Sequence, residues 1–172
     1  MLESNSVEVD PDAAKEREAW RNASDHAWRY FELHAGQRMT VFNFFTVLTG
    51  LIAAGIAASI QGSLRFAIVG LVLGGVMVLL AFVFWKLDQR VSFLIKRAED
   101  AQALAERHFL PDESQLFSSE PCARSRAQTG RSRLVSQWTF GASFRLVFVL
   151  AALIGATSSA ISGLRVAGFF AW

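Results

Sequence analysis

Three stretches without a single charged side chain limit what this chain can become. They cover residues 41–64, 66–85 and 146–164, and a further uncharged run closes the sequence at 166–172. A helix needs roughly 20 apolar residues to cross a hydrocarbon core of about 30 Å, and each stretch meets or nearly meets that length. They are continuously apolar rather than alternating, so membrane strands are a poor alternative. A helix in a soluble bundle keeps a polar face, and these have almost none. The chain is 52% hydrophobic with a mean hydropathy of +0.31, but the clustering of the apolar residues decides the class. The expectation is an all-α membrane protein with three transmembrane helices: 41–60, 66–86 and 144–164.

Charge placement orients these spans. Of the 17 basic residues, 15 lie either before the first span or between the second and third. Arg65, in the short link between spans one and two, and Arg165, near the C-terminus, are the exceptions. The positive-inside rule puts the basic side in the cytoplasm of a bacterial inner membrane, with the N-terminus inside and the C-terminus outside. Phe169, Phe170 and Trp172 of the 165–172 tail then rest at the outer interface. Met1 to Asp10 is polar and acidic and does not read as a signal peptide; residues 1–10 are expected to be disordered.

Asp10 and Pro11 form a helix start, an acidic N-cap followed by proline at the first helical position. Ala13, Trp20, Ala23, Ala27, Trp28, Phe31 and Ala35 recur at helical spacing, so 11–38 reads as an amphipathic cytoplasmic helix that Gly36 can bend. The link at Gln61 to Leu64 is short enough for a tight antiparallel hairpin. Helical period continues past Trp85 through Leu94, Ala98 and Ala105, so 87–110 extends the second span into the cytoplasm until Pro111 stops it. Residues 111–134 form a polar loop whose Arg124, Arg126, Arg131 and Arg133 are placed to meet anionic headgroups, at around 1 kcal/mol per basic residue. Nucleic acid is the alternative partner of that cluster, disfavoured by the lack of interleaved aromatics for stacking.

Within the spans, Gly70 and Gly74 make a GxxxG spacing that lets helix backbones approach closely. The third span is rich in small residues and carries hydroxyls at Thr157, Ser158, Ser159 and Ser162. Such a helix packs tightly or lines a polar path, and in a symmetric oligomer it can do both. The uncharged stretches hold no ionisable side chain, which argues against a proton-coupled pump. The lone Cys122 has no internal disulfide partner, the three histidines make no metal-ligand pattern, and no cofactor is expected.

Arg29 and His34 form an R-x4-H spacing, as do Arg21 and His26. Metal-independent ribonucleases of the HEPN class use R-x4-6-H, where arginine and histidine meet across a dimer, the arginine steadying a phosphate and the histidine moving a proton. A five-residue offset does not put both side chains on one face of a straight helix. The competing reading is interfacial: Arg29, His34 and Arg38 meet headgroups, while Trp28, Tyr30 and Phe31 anchor the boundary.

The segment from Trp28 to Phe45 resembles the approach to the first span in the RipA family of octameric membrane proteins. It also resembles the membrane-pore accessory proteins of RNA-targeting type VI-B CRISPR systems. The resemblance rests on His34, Gln37, Arg38, Asn43 and the Phe44-Phe45 pair. It implies a homo-oligomeric ring, an octamer in the family, that permeabilises the inner membrane in defence or stress, with any R-x4-H role falling on Arg29 and His34. Against this non-enzymatic pore stand two alternatives, a membrane-tethered HEPN-like ribonuclease or RNA-binding module and an envelope scaffold or regulator.

Overall fold

The computed structural model describes residues 10–119 and 140–169. Among these the chain is all-helical, without a strand: α1 (Pro11–Gln61), α2 (Leu64–Phe109), a 3-10 turn at Asp112–Ser114, a short helical segment at 116–119, and α3 (Phe140–Val166). Each long helix contains a stretch long and apolar enough to cross a membrane. Cys122, the arginines at 124, 126, 131 and 133, and residues 1–9 and 170–172 lie outside the described residues.

The helix ends follow from local chemistry. The Asp10 carboxylate accepts the Asp12 N–H at 3.0 Å, the Asx-type cap that precedes Pro11. α1 continues uninterrupted past Gly36, whose carbonyl accepts the Thr40 hydroxyl; one interior glycine costs about 1 kcal/mol, too little to break a long helix. The chain reverses at Gly62 and Ser63, where a Cβ on Gly62 would lie 2.7 Å from the Phe66 side chain. α3 closes in a Schellman motif: Phe169 N–H donates to Leu164, Gly168 N–H donates to Arg165, and Gly168 takes φ +79°.

The chain divides into two compact units. The larger comprises Ala35–Phe93 with Gln137–Trp172. Its core joins Phe45 and Ile56 of α1, Met77 and Ala81 of α2, and Phe144, Phe148 and Ala151 of α3. Buried positions on α3 fall at Phe144, Phe148, Ala151, Gly155, Ser158 and Ser162, in alternating steps of four and three. Those on α2 fall at Ala67, Gly70, Gly74, Met77, Ala81, Asp88 and Val91, with half-buried Phe84 completing the series. That spacing is the signature of knobs-into-holes packing at a shallow crossing angle. α2 and α3 run antiparallel, since Gly70 meets Ser162 while Met77 meets Gly155.

The smaller unit comprises Met1–His34 and Leu94–Ser136. Its buried side chains are three alanines, Ala27 on α1 and Ala98 and Ala105 on α2, together with the amide of Gln102. Trp20 stacks on His108 at 4.7 Å and meets Phe109 edge-on, while Phe31 meets Phe117.

Candidate functional site

The larger unit is graded along its length. At one end small residues bring the helices together. A Cβ on Gly70 would lie 2.5 Å from the Ser59 hydroxyl and 2.7 Å from that of Ser162; one on Gly74 would lie 2.6 Å from the Gly155 carbonyl. These contacts are possible only because the Cβ is missing. The hydroxyls here bond within the unit: Ser59 donates to the Ile56 carbonyl at 2.7 Å, and Ser159 donates across to the Leu71 carbonyl at 2.9 Å. Ser158 and Ser162 are buried. Thr157 is exposed and returns its hydroxyl to the Leu153 and Ile154 carbonyls of its own helix. Arg165 donates to the Ile60 and Gly62 carbonyls, placing a cation on the negative end of the α1 dipole.

Further along, the packing turns aromatic. Phe42 stacks on Phe144 with centroids 4.0 Å apart, and Phe45 packs against Phe84 and Phe148. Beyond these rings lies an ion pair, with Arg38 Nε 2.7 Å from Asp88 Oδ1. Asp88 is 4% exposed and the Arg38 side chain 16%. The guanidinium carbon sits 4.9 Å from the Phe144 centroid, and a Cβ on Gly141 would come within 3.3 Å of Arg38 Nη2. One charged cluster thus ties together all three helices of the unit.

The pair is incompletely satisfied. It is joined by one hydrogen bond rather than the bidentate fork that arginine and carboxylate can form. Arg38 Nη2 and Asp88 Oδ2 are buried without a hydrogen-bond partner, as is the Ser92 hydroxyl one turn along α2 from Asp88. Taking two charges out of water is expensive, and an ion pair offsets the cost only with good geometry and further hydrogen bonds. Removing one partner strands the other, at about 3–5 kcal/mol.

Sequence reasoning singled out Arg38 as interfacial and did not find Asp88, which falls three residues beyond Trp85 in what reads as a polar extension. Its signal was position: Ala67, Gly70, Gly74, Met77, Ala81 and Asp88 share one face of α2. Gln37 and Asn43 are exposed on α1. In the smaller unit, His34 Nδ1 lies 2.8 Å from the Tyr30 carbonyl and its ring packs on Tyr30, whereas Arg29 is exposed. Five residues along a helix separate Arg29 and His34 by about 140°, so within one chain they do not converge on a phosphate. Arg21 and His26, equally spaced, are both exposed.

The chain is 41% identical over 133 residues to CD-NTase-associated protein 19 of Escherichia coli, an alignment covering 77% of this chain and 85% of the relative. No family model matches the sequence. No solved structure matches it.

Proposed function

Because this chain belongs to the family of CD-NTase-associated protein 19, we propose that it is a membrane effector of CBASS-type anti-phage defence, one that assembles with its own copies and permeabilises the inner membrane when infection is sensed. The observation that carries this reading is the openness of the spans. In their most apolar windows only 11%, 28% and 28% of residues are buried. Phe44, Leu51, Phe66 and Leu79 are each more than half exposed. Lipid covers such faces, and so does another copy.

Asn43 favours copies. Its amide is exposed on α1 within the uncharged run, where lipid tails offer no hydrogen bond and a neighbouring helix does. The charge asymmetry supports an N-terminus on the cytoplasmic side, where an intracellular signal can reach it. In this reading the Arg38–Asp88 pair holds the resting arrangement.

The test uses cells expressing the protein together with a CD-NTase. Infection should be followed by loss of membrane potential and dye uptake, and Asn43→Leu should reduce both protection and assembly in native mass spectrometry. Wild-type protein that stays strictly monomeric in mild detergent and in nanodiscs would remove the assembly half of the reading.

A further inference from the structure

We infer that the groove between α2 and α3 is a binding site for an anionic phospholipid, with an acyl chain in the groove and the headgroup phosphate held by Lys86 and Arg145. The inference rests on the membrane-spanning reading of α2 and α3 and not on pore formation. The groove measures about 340 Å³ and opens to the outside of the unit. It is lined by the small side chains of Ala81, Ala152 and Ala156 and by the rings of Phe82, Trp85 and Phe148. The lining from Val78 to Trp85 spans about 10 Å along α2. No charged residue lines it, so it suits the part of an acyl chain nearest the headgroup, the remainder continuing into the surrounding lipid.

One end of the groove is cationic. Lys86 follows Trp85 directly, and its ammonium lies 5.9 Å from the centroid of the groove-lining Phe82 ring. On α3, Arg145 stands one turn before Val149, which also lines the groove. Because the helices are antiparallel, Lys86 and Arg145 belong to the same end, and both are exposed. Trp85 beside them is the amphipathic ring expected at headgroup level. Small residues below, an aromatic collar and two cations above match a lipid that carries a net negative charge. A zwitterionic lipid fills the groove equally well but gains less from the two cations.

The experiment takes the full-length protein, delipidated in mild detergent, and titrates it with phosphatidylglycerol or phosphatidylcholine under native mass spectrometry. Phosphatidylglycerol is expected to be retained at least about 10-fold better, given around 1 kcal/mol for each of two basic residues. The Lys86→Gln/Arg145→Gln double variant should erase that preference, and Lys86→Arg should keep it. Ala152→Phe, which fills the groove, should lower retention of both lipids while circular dichroism stays helical. Equal retention of the two lipids by the wild type overturns the proposal, as does an Ala152→Phe variant that binds like wild type. An Ala152→Phe variant that loses oligomers but keeps its lipid overturns it in favour of a second copy in the groove. Carbonate extraction of the wild type separates the two readings: a chain that is extracted fails the membrane reading, whereas a chain that stays and shows no lipid preference fails this one alone.

Discussion

The two units solve the burial of polar groups differently. In the smaller unit, the buried Gln102 exchanges two hydrogen bonds with Ser24: the Ser24 hydroxyl donates to Oε1 at 3.0 Å, and Nε2 donates to the Ser24 carbonyl at 2.6 Å. The Glu106 carboxylate accepts the N–H groups of Leu116, Phe117 and Ser118, closing the start of the 116–119 turn. Polar groups there are matched. In the larger unit, Arg38 Nη2, Asp88 Oδ2, Thr49 Oγ1 and Ser92 Oγ are buried without a partner. Every such atom found among the described residues lies in that unit. Matched hydrogen bonds offset the cost of burying Gln102, whereas the Arg38–Asp88 pair relies on one hydrogen bond and on the packing of the guanidinium over Phe144.

Breaking the ion pair should show the largest effect. Asp88→Leu is expected to cost about 3–5 kcal/mol, whereas Arg38→Met combined with Asp88→Leu should recover most of it. Thermal unfolding in detergent reads the double-mutant cycle, and additive losses would mean that the two side chains do not act together. Next comes the glycine seam. Gly74→Leu drives a side chain into the Gly155 backbone and should cost about 1–3 kcal/mol or prevent folding. Gly75→Leu, one residue on and facing open space, should be tolerated. Equal damage from both would argue against the close helix approach.

In the smaller unit, Gln102→Leu removes both side-chain hydrogen bonds to Ser24, an expected loss of about 1–3 kcal/mol. Hydrogen exchange should speed up around Ser24 and leave residues 41–60 unchanged; faster exchange in both regions would erase the contrast between the units. The smallest change is Thr157→Val. Its hydroxyl bonds only to its own helix, so stability should move by no more than about 0.5 kcal/mol. A changed conductance at unchanged stability would place Thr157 on the permeation path.

Much of this architecture is legible in the chain, because long-range order here follows local periodicity. The uncharged runs locate the apolar helices, Pro111 stops α2 just past Phe109, and the Gly70/Gly74 spacing marks where α2 meets α3. What escaped is pairing across distance. Asp88 sits 50 residues from Arg38, and Gln102 sits 78 from Ser24. A lone carboxylate in a stretch that also holds Lys86 and Arg90 reads as solvated surface until its helical face is counted. The hydroxyls of α3 were ambiguous for a different reason: serine suits a packed seam and a polar path alike, and only the partner decides. For Ser159 that partner is the Leu71 carbonyl. The R-x4-H spacing is a different case, since it specifies residue types, and within one helix the two side chains lie about 140° apart.

The account turns on whether the protein acts by opening the membrane. The most direct measurement follows membrane potential and dye uptake in single cells carrying the protein with a CD-NTase through a phage infection. Depolarisation before lysis, delayed or lost when Asn43→Leu weakens assembly, is the predicted result. Full protection with membrane potential intact throughout would contradict it and move this chain from permeabilising effector to membrane-bound scaffold.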